Sequence, residues 1–238
     1  MLINVSDVDL NENNMFYLQN ALGEIFASAS CGVILRNDGG RTVLTIDCPE
    51  RYAEVIRAET ADKVAEIIAI KYKYDYFKKN IRVQGLSTAE KEIMYASLIS
   101  ADLPEDKKYC YERLKNSSLI AIDGFYNFRL QPLKEKWKGI ASYMPACFVS
   151  EQLKDFIKFL LENKRKRAYI EGGKVYDWHF RRLKRANLLD GEALKITREI
   201  ILSGCGEVEI TGKTAPEDEF YLKEYYGDKI IFSTGYFG

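Results

Sequence analysis

The chain reads as an α+β protein: a helical bundle in the middle, with short β-sheets formed by its N-terminal and C-terminal segments. Three observations predict this. Apolar residues recur at helical spacing through the centre of the sequence. Short runs of period-two or β-branched character, joined by glycine turns, lie at both ends. No repeat, low-complexity run or Pro/Ser-rich linker separates these regions. At 238 residues with 47% apolar and 13% aromatic side chains, the chain can bury a sizeable core. The expected organisation is an α+β segment over 1–85 ending in a long helix, a helical bundle over 86–166, and a hairpin-containing α/β segment over 167–238. All three are expected to pack as one compact unit.

Leu2–Val5 is a short strand candidate, followed by Leu18, Leu22, Ile25 and Ala29 at helical spacing. Val33–Leu35 and Val43–Ile46 flank Asn37-Asp-Gly-Gly40, hairpin chemistry because glycine supplies positive φ. Pro49 suits a first helical position after Asp47 as cap, opening a helix over about 50–79. In its last turns Lys71, Lys73, Lys78 and Lys79 interleave with Tyr72, Tyr74, Tyr76 and Phe77. Such a pattern either grips single-stranded nucleic acid or ends an amphipathic helix whose lysines reach for solvent.

Ser87-Thr-Ala-Glu90 is a capping box that starts a helix running to about Ser100. Pro104 opens the next, to about Lys115. Pro132 and Pro145 bracket a helix over Leu133–Tyr143. Val149, Leu153, Phe156 and Leu160 give the inward face of another, ending near Asn163. Ala168–Asp177 folds back at Gly172-Gly173. Leu194, Thr197 and Ile201 mark a helix stopped by Gly204, and Glu207–Thr211 alternates as a strand with one buried and one acidic face. Glu217, Asp218 and Glu219 read as solvated acids ahead of a helical turn, and Lys229–Ser233 closes the chain as a strand.

Thirty-five basic and thirty-five acidic residues cancel, which argues against a protein that coats nucleic acid over its whole surface. The charges are unevenly spread. Residues 1–60 hold nine acids and four bases, whereas 164–185 hold nine bases and two acids. Five cysteines with no CxxC spacing suit reduced thiols, and a single histidine argues against a zinc site. No apolar run is long enough to span a bilayer and no signal peptide is evident, so a cytoplasmic protein is expected.

Asp123-Gly-Phe-Tyr-Asn-Phe-Arg-Leu130 concentrates three aromatics within four positions. At helical spacing Ile122, Phe125 and Phe128 share a face, which predicts a core helix carrying one arginine. Arg129 is then either structural, stacked on that aromatic surface, or a grip for an anionic ligand or partner. This octapeptide, followed by Gln152-Leu-Lys-Asp-Phe-Ile-Lys-Phe-Leu-Leu161, resembles the YtxC-like family of sporulation proteins from endospore-forming bacteria. The likeness runs from about Ser87 onward and is carried by Asp123, Gly124, Phe125, Asn127, Phe128 and Arg129. Pro132 and Pro145 interrupt a stretch more continuously helical in that family. The resemblance implies a biological process and supplies no catalytic residues.

The basic clusters Lys164-Arg-Lys-Arg167 and Arg181-Arg-Leu-Lys-Arg185 flank the C-terminal hairpin. If the hairpin folds back, Lys164, Arg165, Lys166, Arg167, Arg181, Arg182, Lys184 and Arg185 form one patch fit for phosphates. An acidic protein or an anionic membrane surface would suit it as well; alternatively the first cluster complements its own helix C-terminus and Glu207, Glu209 and Glu217–Glu219 neutralise the second. His179, two residues from Asp177, is the sole candidate base, and it reads more simply as a packed edge residue. No nucleophile elbow, phosphate loop or dinucleotide fingerprint is present. The sequence therefore predicts a non-enzymatic cytoplasmic protein that works by binding a protein partner, without cofactor or metal. Nucleic-acid binding through the 164–185 patch is the alternative, and an enzyme of unknown class the third.

Overall fold

The structure, a computed structural model, describes residues 1–233. Its elements are β1 (Leu2–Val8), α1 (Glu12–Ser28), β2 (Gly32–Asp38), β3 (Arg41–Asp47), α2 (Ala53–Ile67), a π turn (Ile68–Tyr72) and α3 (Lys73–Asn80). There follow α4 (Thr88–Ser100), α5 (Leu103–Leu114), β4 (Leu119–Ala121), α6 (Ile122–Arg129), α7 (Gln131–Tyr143) and α8 (Ser150–Leu161). The last are β5 (Arg167–Glu171), β6 (Lys174–Tyr176), α9 (Lys195–Ser203), β7 (Glu207–Thr211), α10 (Pro216–Tyr226) and β8 (Ile230–Ser233). The fold class is α+β, with two small mixed sheets. The chain divides into two compact units, one of Met1–Lys73 with Pro104–Ile140, the other of Tyr74–Leu103 with the chain from Ala141 on. Residues 86–166 thus contribute to both.

The sheet of the first unit has the order β2-β3-β1-β4. Gly39 and Gly40, both at positive φ, close the β2–β3 hairpin as their chemistry dictates. Alternation puts Ile3 and Val5 of β1, with Leu44 and Ile46 of β3, on one buried face, where Ile3 pairs with Ile46 and Val5 with Leu44. Helix α1 covers that face through Met15, Leu18, Leu22 and Phe26. β4 is the element that the sequence does not announce. It pairs parallel with β1, Asn4 beside Leu119 and Ser6 beside Ala121. Pro49 also departs from expectation. It precedes a 3-10 turn over Glu50–Tyr52, so that α2 starts only at Ala53.

Three buried carboxylates interrupt this apolar interior. Asp7 occupies the next inward position of β1 after Val5 and accepts from Tyr72 Oη (2.7 Å), Asn14 Nδ2 (2.8 Å) and the Val8 amide. Burial pushes its carboxyl above the ordinary range, against those hydrogen bonds. Glu66 accepts from Tyr17 Oη, Lys63 and Lys107. Asp106 on α5 accepts from Lys73 Nζ (2.8 Å), Lys136 Nζ (2.6 Å) and Trp137 Nε1 (2.8 Å). Lys73 is itself fully buried, which corrects for this residue the expectation that the lysines of this run reach for solvent, as exposed Lys78 and Lys79 do. Every residue from Val64 to Ile70 is buried, so the segment leading into Lys73 has no solvent face to offer.

In the second unit the Ser87–Glu90 capping box forms as expected, with Ser87 Oγ accepting from the Glu90 amide and Glu90 from the Ser87 amide. The sheet has the order β6-β5-β7-β8, with β5, β7 and β8 parallel. Helix α10 makes the β7–β8 crossover, as a parallel connection requires. Three expectations are corrected here. Helix α8 turns Leu153, Ile157 and Leu161 inward and leaves Val149 exposed, because the i, i+4, i+8 row is its apolar stripe. Glu209 does not face water. It is buried and ion-paired to Arg167 Nη1 (3.0 Å). Asp218 is buried too, accepting from the amide and hydroxyl of Thr197 and so capping the first turn of α9.

Removing Asp106 would take away the acceptor shared by Lys73, Lys136 and Trp137. Asp106→Ala is expected to cost about 3–5 kcal/mol in urea unfolding, the range for breaking a buried pair. The double change Lys73→Met with Asp106→Leu should recover part of that loss, because no buried charge is left behind. Equal losses in single and double variants would contradict this.

Candidate functional site

The Asp123–Leu130 segment folds as α6, and its inward face differs from the one the spacing suggests. Ile122 and Leu130 are fully buried, and Tyr126 between them packs on Tyr72 (ring centroids 4.7 Å) and Trp137 (5.9 Å). Phe125 is half-buried and Phe128 is 82% exposed, so the expected core face of Ile122, Phe125 and Phe128 is not formed. The reason is tertiary: Tyr126 fits between two rings supplied by distant segments, and this sets the rotation of so short a helix. Asp123 at its start receives both terminal nitrogens of Arg41, which also reaches Ser6 Oγ. Asp123 is therefore a structural pin between β3 and α6. Asn127 is exposed and offers its carbonyl to Gln131. Gly124 lies beside the Ala121 methyl with ordinary spacing. Arg129 is exposed and stacks on no ring among the described residues. With Arg113, Phe125 and Phe128 it lines an open groove of about 690 Å³.

In the second unit the hairpin brings the two basic clusters to one place. Gly206 and Glu207 donate their amides to the Lys166 carbonyl (2.9 and 3.3 Å), anchoring the first cluster beside β7. Only glycine fits at 206, since a Cβ there would overlap the Lys164 carbonyl. Lys166 Nζ then sits 4.9 Å over the Trp178 ring, just ahead of the second cluster. The eight predicted cations are not equivalent. Arg167 is held by Glu207 and Glu209, and Arg181 by Asp177. Arg185 is half-buried and donates to the Leu202 carbonyl. Lys164, Arg165, Lys166 and Arg182 are exposed and Lys184 half-exposed, with no ion-pair partner among the described residues.

The turn between the clusters is built by Asp177. Its carboxylate accepts from the amides of His179 and Arg181 (both 2.9 Å) and from Arg181 Nε (3.0 Å). Burial works against the charge, but these donors outweigh it and hold the carboxyl below its ordinary range. Asp177 thus engages the backbone of His179 and makes no hydrogen bond to the ring. The two do not form a base and its orienting partner; His179 is an exposed edge residue whose ring lies against that of Trp178 (centroids 3.4 Å). Held this way, the loop turns Trp178 (45% exposed) and Phe180 (43%) outward, the latter stacked on Tyr169 at 4.4 Å. These aromatics, embedded in Asp177-Trp-His-Phe-Arg-Arg182, are the part of the surface that a count of charges misses. Their signal was the contiguity of rings and bases.

None of the family models, curated proteins or solved structures compared with the chain matches it. Among the described residues no three His, Cys, Asp or Glu side chains are grouped as a metal site requires, and no helix is long and apolar enough to cross a membrane.

Two outcomes follow for the Asp123–Leu130 segment. Phe128→Ala should change stability by no more than about 0.5 kcal/mol, as expected of an exposed side chain, whereas Ile122→Ala should cost about 2–5 kcal/mol in urea unfolding. The Arg41 guanidinium holds Asp123 below the ordinary carboxyl value of 3.8. Asp123 therefore contributes stability above about pH 4 that is lost as pH falls through its folded value. Asp123→Asn should flatten the acid limb of urea midpoints measured between pH 2 and 6, and an unchanged limb would show that other carboxylates carry it.

Proposed function

We propose that the protein is a non-enzymatic binding protein whose second unit takes single-stranded nucleic acid on the 164–184 surface. The observation that carries this reading is the placement of exposed Trp178 and Phe180 among cations that have no carboxylate partner among the described residues. Single-stranded nucleic acids are held by charge along the backbone and by stacking of bases on aromatic side chains. Lys164, Arg165, Lys166, Arg182 and Lys184 would supply the first, Trp178 and Phe180 the second. The Lys166 ammonium above Trp178 puts a phosphate-binding charge beside a stacking surface, within the span of one nucleotide. Arg167, Arg181 and Arg185 would serve as framework, since each is committed to the fold. The resemblance of residues 123–130 to the YtxC-like family supports a cytoplasmic setting in sporulation.

Fluorescence anisotropy of labelled single-stranded DNA and RNA tests the reading. Affinity should fall with salt, with a log–log slope no steeper than about −3.5 if all five cations meet phosphates. Trp178→Ala should weaken binding about 5- to 150-fold, the equivalent of roughly 1–3 kcal/mol for a stacked base. Reversal of Lys164, Arg165, Lys166 and Arg182 to Glu should abolish it. Binding that survives the charge reversal, or no binding at low salt, would sink the proposal.

A further inference from the structure

The first unit carries a second surface, built differently from the first. β4 is the outer strand of its sheet and pairs with β1 alone. The Asn4 amide donates to the Ser118 carbonyl (2.8 Å), so residue 118 and, two positions on, Ile120 face β1. Leu119 and Ala121 between them direct their backbone amides to the other side, away from the sheet. Those two amides have no acceptor among the described residues, whereas the Ala121 carbonyl accepts the first bond of α6. Leu119 is 79% exposed, so its backbone can be reached.

This open edge forms one wall of the groove already described. The opposite wall is the outward face of α6, with Phe125, Phe128 and Arg129, and the end of α5 adds Arg113 and Leu114. The lining contains two arginines and no carboxylate. Arg113 is braced against the Tyr109 ring (3.5 Å) and the Tyr109 carbonyl, which fixes its guanidinium at the rim. Natural sheets usually blunt an edge with lysine, proline or a covering loop. Here the edge residues are Leu119, Ile120 and Ala121, and the neighbouring charges are cations beside the groove, not on the strand.

We propose that this groove binds an extended acidic–apolar segment of a partner protein, which adds to β4 as a fifth strand. The Leu119 and Ala121 amides pair with the incoming backbone, Leu119, Phe125 and Phe128 receive its apolar side chains, and Arg113 and Arg129 its carboxylates. Strand addition takes affinity from main-chain hydrogen bonds and specificity from the pockets for alternate side chains. The charge of the groove selects the acidic sequence, because a basic one would leave two arginines facing like charge. The site is independent of the nucleic-acid surface proposed above and stands or falls without it.

The probe is a fluorescein-labelled hexapeptide, Glu-Val-Glu-Val-Glu-Val, titrated with the full chain and read by anisotropy. Saturable binding is expected. It should weaken at least tenfold with Arg129→Glu, and at least tenfold when the peptide backbone is N-methylated at alternate residues. It should be absent for Lys-Val-Lys-Val-Lys-Val. Arg129 is exposed, so its variant should keep the wild-type circular dichroism spectrum and melting profile. Charge reversal at Lys164, Arg165, Lys166 and Arg182 should leave peptide binding unchanged, which separates this groove from the other cationic surface. Four results would overturn the proposal: no binding with peptide at millimolar concentration, loss in the 164–182 variant in place of Arg129→Glu, indifference to N-methylation, or a dimer of the chain in sedimentation that Arg129→Glu dissolves. The last would assign the edge to a second copy.

Discussion

The buried contact of Lys73 with Asp106 is the constraint on which the first unit depends. Lys73 opens α3, directly after the π turn that follows α2, and Asp106 lies on α5. The same carboxylate fixes the Trp137 indole of α7, and Trp137 stacks on Tyr126. Tyr126 in turn sets which side of α6 is inward. One carboxylate thereby fixes the rotation of a helix it does not touch. That rotation decides that Phe128 and Arg129 meet solvent. A charge pair at such depth adds little net stability compared with an apolar replacement, so its contribution here is to specify an arrangement.

The second unit reaches its surface by a different device. Asp177 gathers two backbone amides and a guanidinium and turns the chain so tightly that Trp178, His179 and Phe180 cannot fold back into the interior. Phe180 adopts positive φ there, a conformation that side chains with a Cβ take only when their surroundings impose it. Gly206 does the complementary work on the other cluster by letting the Lys164–Lys166 backbone pass close to β7. Rings held in place bind with less loss of side-chain freedom than mobile ones. The proposed surface would thus be preorganised by Asp177 and Gly206, which take no part in the proposed recognition.

What was legible in the sequence was local. Gly39-Gly40, Gly172-Gly173 and the Ser87–Glu90 box each contain, within four residues, all the chemistry that determines their shape. The α+β class followed from periodicity that extends over similar distances. What was hidden depended on partners far along the chain. Lys73 sits in a run of lysines and tyrosines that looks solvated until Asp106 and Trp137 are brought to it. Glu209 and Asp218 look like surface acids until Arg167 and Thr197 arrive. The basic clusters were visible, and so were acids able to neutralise them, but which members remained available was not: Arg167 is held by Glu207 and Glu209, which only the fold brings near, and Arg181 by Asp177 four residues away. Three-residue β4 carries too short a pattern to announce itself at all.

The pairing of β4 with β1 has a consequence for how the protein is made. Asn4 emerges from the ribosome more than a hundred residues ahead of its strand partner Leu119. The hairpin of β2 and β3 can close within a few dozen residues, and β1 can join it soon after. One side of β1 then waits, unpaired, for a strand that has not yet been translated. Contacts of such separation form late because the loop between them must be closed first. During that interval β1 is the exposed edge of a growing sheet. A nascent chain stalled, or a fragment cut, before residue 119 would present it to any strand nearby.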